Sequence, residues 1–222
     1  MTDPLPDDDL AARKDAVLDE VLIEAPFEGW THAALEAGAR EAGEAEALPL
    51  LFPGGVGEVI AWWSVRADDA VIAAFEADQD RPRGVTATIR HLVRARVLAL
   101  EPDREAARRA AATLALPPYA VTGARMTWRT ADRIWRAAGD TATDWNHYSK
   151  RAILSGVYAA TAARWFADEG DGAPDPYQAT WDFLDARLAG VMRFEKVKAR
   201  LPRVDADGVA AMLGRLRYGS GR

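Results

Sequence analysis

The sequence predicts an all-α fold, and three observations support this. Apolar residues recur at intervals of three and four along most of the chain, the spacing that places them on one face of a helix. Glycine, proline and capping residues interrupt the pattern where helices are expected to end. No segment shows the strict alternation of apolar and polar residues that is typical of a half-buried strand. We therefore expect helices joined by short loops.

In the first half of the chain, the periodicity predicts five helices: Asp9–Ala25, His32–Ala42, Val59–Ala77, Val85–Leu100 and Asp103–Leu116. Pro26 and the glycine that follows are expected to end the first helix. Thr31 can cap the second, and Gly43 can terminate it. The segment 48–57, which contains two prolines and three glycines, is expected to be a loop.

Four further helices are predicted in the second half: Tyr119–Ala138, Trp145–Asp168, Tyr177–Lys198 and Gly208–Tyr218. Two consecutive prolines precede the first of them, and a polar linker precedes the last. This layout predicts an N-terminal helical subdomain over residues 1–80 and a helical bundle over residues 81–200. A linker and a short amphipathic helix are predicted over residues 201–222.

The composition narrows the function classes. The chain has 222 residues and no cysteine, which excludes disulfides, thiolate metal sites and cysteine nucleophiles. The acidic, proline-containing start is not expected to be a signal peptide, and no window approaches the roughly 20 apolar residues that span a bilayer. Abundant Ala, Arg and Asp with little Lys is associated with GC-rich bacterial genomes. We therefore expect a protein of the bacterial cytoplasm.

Charge is distributed unevenly along the chain. Residues 1–80 contain 19 acidic and 4 basic residues, whereas residues 187–222 contain 3 acidic and 9 basic residues. An acidic first third would avoid polyanions, and a basic tail would suit an anionic surface. The alternative is that both ends are only solvated. Charge alone does not decide between these two interpretations.

The helix order in the first eighty residues resembles the DNA-binding end of TetR-type regulators. A recognition segment over residues 31–58 would then need to be basic, but it contains five glutamates and a single arginine, Arg40. Pro49 would also interrupt a recognition helix. The helix order therefore predicts a TetR-like scaffold, and the acidic charge and Pro49 predict that its degenerate helix-turn-helix does not bind nucleic acid. A TetR-type ligand-responsive transcriptional regulator is the alternative function.

The stretch AGDTATDWNHYSKRAILSGVY, residues 138–158, contains the candidate site. Asp144 can cap the helix that starts at Trp145. Trp145, His147 and Tyr148 place three aromatic residues in its first turn, which is more than capping requires. Aromatic residues beside an arginine are the usual anchors of a protein interface. This helix start is therefore predicted to bind a partner.

Arg151 lies on the same helical face as His147 and Tyr148. An inward-facing arginine needs an anionic partner, which could be Asp140, Asp144 or a lipid phosphate. The alternative to a ligand contact is a structural Arg–Asp pair.

No charged residue occurs from Ala152 to Ala163, where small residues dominate. Such a helix either packs closely against its neighbours or leaves room for a ligand between helices. Asp144 and His147 have the i, i+3 spacing of metal ligands, but a helical metal site needs several carboxylates and a second histidine. The chain contains three histidines and no Glu-x-x-His pair, so no metal is expected. We find no residues that suggest a catalytic site, and we do not expect an enzyme.

Five segments together resemble the accessory lipid-binding family of ubiquinone biosynthesis, the ninth of the Coq proteins. These segments are WRTADRIW from Trp128, AGD ending at Asp140, DWNHYSKRA from Asp144, LSGVY ending at Tyr158, and TWDFLDARL from Thr180. The resemblance is strong over about residues 120–195. Before residue 120 it extends only to the TetR-like layout.

The resemblance implies a non-catalytic homodimer whose apolar pocket binds an isoprenoid quinone intermediate or a phospholipid, with no other cofactor. It implies that the lipid is presented to the late-step hydroxylase of ubiquinone biosynthesis, a di-iron enzyme or an equivalent. The resemblance implies that Arg151 contacts the lipid headgroup. The other predicted lipid-binding residues are Trp128, Trp135, Leu154 and Tyr158. The implied partner-binding residues are Asp144, His147 and Tyr148, with His147 standing where mitochondrial members carry an indole.

The resemblance also implies that a C-terminal amphipathic helix touches the membrane, so that the protein would be peripheral on the inner membrane. The apolar stripe Val209, Met212, Leu213 and Leu216 is flanked by Arg215, which suits an anionic bilayer surface. The same stripe would equally serve a helix docked on its own domain.

Overall fold

The computed structural model describes residues 7–141 and 145–200, with side chains for residues 9–141 and 147–191. Within these ranges the chain is helical and contains no strand, which confirms the all-α prediction. The α-helices are α1 (Asp7–Glu28), α2 (His32–Glu41), α3 (Leu48–Leu51), α4 (Val56–Ala77), α5 (Val85–Leu98), α6 (Arg104–Leu114), α7 (Ala120–Ala137), α8 (Trp145–Phe166) and α9 (Gln178–Arg200). A 3₁₀ turn, Glu101–Asp103, precedes α6. The predicted helix over residues 208–218 lies outside the described residues.

Two N-terminal expectations need correction. Helix α1 continues past Pro26 to Glu28 and ends at Gly29, which adopts a positive φ of 72°. A proline in the last turn removes one backbone donor, and the turns before it keep their hydrogen bonds. The segment predicted as a loop over 48–57 contains the short helix α3, in which Pro49 occupies the first turn, where no N–H is required.

A single hydrophobic core extends from α1 to α9. Helix α4 packs on α7, α7 packs on α8, and α8 packs on α9, while α1 packs on α2 and α6. The indole of Trp30 stacks on Trp63 with 5.5 Å between ring centroids, and its Nε1 donates to the Ala106 carbonyl at 2.8 Å. The N-terminal helices therefore share a core with the bundle that follows. The predicted domain boundaries and the TetR-like layout stay predictions.

A buried ion pair links three helices inside this core. Arg96 on α5 donates from Nε to Asp68 Oδ1 on α4 at 2.6 Å, and both side chains are at most 4% exposed. Thr130 on α7 donates its hydroxyl to the same carboxylate, and Ser64 Oγ accepts from Arg96 Nη2 at 3.0 Å. Buried charges need such partners because the interior does not solvate them. The pair thus fixes the relative positions of α4, α5 and α7.

The segment between α8 and α9 is held by contacts to the α5–α6 turn. The Arg104 guanidinium lies over the Trp165 ring, 4.7 Å from its centroid, and donates to the Trp165 carbonyl. The Tyr177 hydroxyl donates to Glu101 at 2.8 Å, and Asp168 accepts from Thr180 Oγ1 at 2.6 Å. These contacts determine where α9 begins against the bundle.

Replacement of Asp68 by alanine should destabilise the fold strongly, because Arg96 would keep a buried charge without a counter-ion. We expect a loss of about 3–5 kcal/mol in the free energy of unfolding, measured by urea denaturation. The matched control is Asp19→Ala, which removes the pair of Asp19 with Arg66 at the surface and should cost less than about 1 kcal/mol. Equal losses in the two variants would contradict the structural role of the buried pair.

Candidate functional site

Helix α8 separates two apolar spaces. The first, which we call the alanine cleft, lies between α4, α6, α7 and α8 and has a volume of about 380 Å³. Its lining includes nine alanines: Ala107, Ala110, Ala111, Ala115, Ala120, Ala124, Ala159, Ala162 and Ala163. Alanine side chains keep the helices in contact below the cleft but do not fill the space between them. The volume falls in the range of small-molecule binding sites.

The alanine cleft has an open end and a closed end. Ala111, Ala115, Ala120 and Ala124 are exposed, so the cleft opens to solvent beside α6 and α7. The opposite end is lined by four buried polar residues: Ser64, Arg96, Thr130 and Tyr158. An apolar molecule with a polar end matches this distribution of surface.

The second space, which we call the Trp135 cavity, lies between α5, α7, α8 and α9 and has a volume of about 360 Å³. Trp135, Ile153, Leu154, Val157 and Leu188 supply most of its apolar wall, and Asp140 and Lys150 are also in its lining. The predicted lipid-binding residues Trp135 and Leu154 therefore line this cavity, whereas Tyr158 lines the alanine cleft. Both spaces use the charge-free part of α8.

Arg151 is buried and pairs with two acids. Its side chain is 1% exposed, its Nε lies 2.6 Å from Asp132 Oδ1, and its Nη1 lies 2.9 Å from Asp140 Oδ2. Nη1 also donates to the His147 carbonyl at 3.2 Å. Asp140 is one of the partners that the sequence left open, Asp132 was not anticipated, and Asp144 lies outside the described residues. Arg151 lines neither space, and its role at a lipid headgroup stays a prediction.

Asp140 connects this pair to the Trp135 cavity. Its second oxygen accepts from Lys150 Nζ at 2.7 Å, and Lys150 lies over the Trp135 ring, 5.1 Å from its centroid. Trp135 Nε1 donates to the Lys150 carbonyl at 3.1 Å. Burial acts to raise the pKa of the Asp140 carboxyl, but hydrogen bonds from Lys150 and Arg151 outweigh it, and the pKa lies below its ordinary 3.8.

The start of α8 carries an aromatic cluster that we call the aromatic surface, formed by Trp128, His147 and Tyr148. The Tyr148 ring is 57% exposed and lies edge-on to His147, with 5.1 Å between ring centroids. The Trp128 ring is half-buried and lies 6.3 Å from Tyr148, so Trp128 supports this surface and lines neither space. Asp144 and the Trp145 side chain lie outside what the structure describes. The predicted membrane-binding residues Val209, Met212, Leu213, Arg215 and Leu216 do so as well.

Sequence reasoning missed the polar end of the alanine cleft. Arg96 lies on the apolar stripe of α5, four residues after Leu92 and three after Val93, where an apolar residue is expected. Asp68 likewise lies on the apolar face of α4, three residues before Val71. A charge on each of two apolar stripes is the signal that could have revealed a buried ion pair.

The fold and its two spaces define a helical protein with ligand-sized apolar cavities. The comparisons show which proteins the chain is similar to. Residues 120–195 match the COQ9 family model, which confirms the resemblance seen in the sequence. The chain is similar to the ubiquinone biosynthesis protein COQ9, mitochondrial, of Rattus norvegicus, with 29% identity over 205 residues that cover 89% of this chain. The proteins of that name from Homo sapiens and Drosophila melanogaster are 28% and 26% identical over 89% and 82% of this chain.

The matches span 64%, 63% and 57% of those three relatives, so this chain corresponds to less than two thirds of the length of each. Each of them is named as mitochondrial, and the prediction of a bacterial cytoplasmic protein at an inner membrane is therefore wrong. That prediction rested on composition, which reflects the base content of a genome and does not report the compartment. The names give no support to the regulator alternative. Within the described residues, no helix is long and apolar enough to cross a membrane.

The decrease in the free energy of unfolding at acid pH should depend on Asp140. Because its pKa is depressed in the folded state, its contribution is complete above its ordinary pKa near 3.8 and is lost as the pH falls through the folded value. Asp140→Asn should lower the free energy of unfolding by about 1–3 kcal/mol at pH 7. The difference from the unmodified chain should shrink below about pH 4, measured by urea unfolding across pH. A difference that is constant from pH 7 to pH 2.5 would contradict this assignment.

Proposed function

We propose that the chain binds an isoprenoid quinone intermediate in the alanine cleft and presents it to a hydroxylase of ubiquinone biosynthesis, without catalysing a reaction itself. The observation that supports this most is the cleft, an apolar space of about 380 Å³ with an open alanine rim. The similarity to proteins named for ubiquinone biosynthesis supports the pathway.

The chemistry of the cleft favours an apolar chain over a polar metabolite. Its walls consist of alanine, leucine, methionine and aromatic side chains, and polar groups are confined to a few positions. Burying an isoprenoid there removes apolar surface from water at about 25 cal/mol per Å², with few hydrogen bonds to satisfy. The Trp135 cavity offers a second apolar wall on the other side of α8.

The aromatic surface is the proposed site for the hydroxylase, a di-iron enzyme or an equivalent. Tyr148 is exposed while its neighbours hold it in place, which is the arrangement of an interface anchor. Arg151 supports this surface from below through its bond to the His147 carbonyl. The homodimer, the contact of Asp144 with the partner and the docking of residues 208–218 on a membrane are included in the proposal from the family resemblance alone.

Filling the cleft should remove the lipid. Ala162 is partly buried and lines the cleft, so Ala162→Phe places a ring in the space that the lipid would occupy. We expect isoprenoid lipid in the purified protein to fall at least about tenfold, measured by mass spectrometry of extracted lipids. The matched control is Ala186→Phe, at an exposed position on α9 that lines neither space. The proposal would be overturned if both variants lost the lipid or if neither did. It would also be overturned if the unmodified protein contained no isoprenoid lipid.

A second experiment distinguishes the proposed partner site from the lipid site. Tyr148→Ala should weaken binding of the hydroxylase at least about tenfold, because an interface anchor is removed, while bound lipid stays unchanged. Phe27→Ala provides the control, since Phe27 is an aromatic residue 75% exposed on α1. Association measured by biolayer interferometry with the purified hydroxylase checks this. Equal effects of the two substitutions would contradict an anchor at Tyr148.

A further inference from the structure

The closed end of the alanine cleft contains a hydroxyl that has no hydrogen-bond partner among the described residues. Tyr158 lines the cleft and keeps 7% of its surface accessible. In the part of the chain that the structure describes, no hydrogen bond joins the Tyr158 hydroxyl to another residue. A phenol in an apolar environment normally has a hydrogen-bond partner. Its partner can therefore come from a molecule in the cleft.

A second donor in the same place also lacks an acceptor. Arg96 lines the cleft, is 3% exposed and lies 5.8 Å from the centroid of the Tyr158 ring. Its Nε and Nη2 are bonded to Asp68 and Ser64, but Nη1 is buried without a partner. An unsatisfied buried donor is uncommon in native proteins. Nη1 has almost no accessible surface, so a molecule in the cleft can reach the Tyr158 hydroxyl but not this nitrogen. An accessible hydroxyl without a partner among the described residues favours an acceptor oxygen at this end of the cleft.

The charge balance indicates what kind of oxygen this is. The positive charge of Arg96 is already compensated by Asp68 at 2.6 Å, and both side chains are buried. A carboxylate or phosphate would add an uncompensated charge to this apolar space, which is costly. Burial raises the pKa of Tyr158 above its ordinary 10, so the hydroxyl stays protonated and can donate at neutral pH. A neutral carbonyl oxygen needs only the Tyr158 hydroxyl as its donor.

We infer that the alanine cleft selects an apolar ligand carrying a neutral carbonyl oxygen, which enters first and accepts a hydrogen bond from the Tyr158 hydroxyl. The ring of such a ligand lies at the closed end. Its apolar tail leaves past the exposed alanines of α6 and α7. This inference rests on the proposed function and adds the residue that donates to the ligand and the orientation of the ligand in the cleft.

The experiment compares menadione with 2-methylnaphthalene, which has the same carbon skeleton but no carbonyl oxygen. The chain contains no cysteine, so menadione cannot add to a protein thiol. Tyr158→Phe removes the hydroxyl and keeps the ring, and it breaks no hydrogen bond within the described residues. Equilibrium dialysis gives the Kd of each probe for the unmodified chain, for Tyr158→Phe and for the cleft-filling variant Ala162→Phe.

We expect the Kd ratio of menadione to 2-methylnaphthalene to rise about fivefold in Tyr158→Phe, because only menadione loses a hydrogen bond. If the Kd ratio were the same in Tyr158→Phe as in the unmodified chain, and Ala162→Phe still weakened the binding of both probes, the inference would be overturned. The cleft would then remain a lipid site. The proposed function would instead be overturned if neither probe bound the unmodified chain. It would also be overturned if Ala162→Phe left the binding of the probes unaffected.

Two further measurements do not depend on the fold of the tyrosine variant. The infrared carbonyl stretch of menadione bound to the unmodified chain should lie at lower wavenumber than in cyclohexane, and an unshifted band would overturn the inference. The anionic probe 2-naphthoate should bind more weakly than menadione. Tighter binding of 2-naphthoate that is lost in Tyr158→Phe would show that the cleft selects an anion, which contradicts a neutral oxygen.

Discussion

Arg151 holds helix α8 against helix α7 by two ion pairs, and both apolar spaces depend on the position of these two helices. One acid, Asp132, belongs to α7, and the other, Asp140, belongs to the turn that follows it. The guanidinium is almost fully buried, so its partners must stay in place or leave a charge unsolvated. This constraint fixes the start of α8 beneath the aromatic surface and leaves the remainder of the helix free of charge until Arg164.

A helix without charge can bury both of its faces, and α8 does so against two different spaces. Tyr158 and Ala162 face the alanine cleft, while Leu154 and Val157 face the Trp135 cavity. Larger side chains at the alanine positions would fill the cleft and gain dispersion contacts. The sequence instead places alanines on α6, α7 and α8, where they maintain an open space at the expense of packing. Such an arrangement is typical of a ligand site.

The acidic N-terminal third serves the fold. Glu44 pairs with Arg13, and Glu58 pairs with Lys14. Two of the glutamates whose charge disfavours DNA binding therefore attach α1 to the segment before α3 and to α4. The pKa of Glu44 is lowered, chiefly by its hydrogen bond to Arg13. Asp68 has a different role, because its carboxylate lies inside the core and joins three helices. The excess of acid therefore combines surface pairs with one buried pair.

The sequence by itself determined the all-α class, the approximate bounds of the helices from α4 to α9 and the family resemblance. These follow from local periodicity, from turn residues and from contiguous motifs, all of which can be read along the chain. It also placed Tyr148 at the start of α8, where the structure exposes it. The continuation of α1 past Pro26 was missed because a proline breaks only the bonds of its own turn.

Only the tertiary structure decided which side chains meet. The partners of Arg151 were ambiguous in the sequence, since Asp132 lies 19 residues away and nothing local marks it. The polar end of the cleft brings Ser64, Arg96 and Tyr158 together from three helices. The assignment of Trp135 and Tyr158 to different spaces likewise depends on how α7 and α8 are rotated against their neighbours. Helical periodicity identifies a buried face, but the identity of what that face contacts is set by packing between segments distant in sequence.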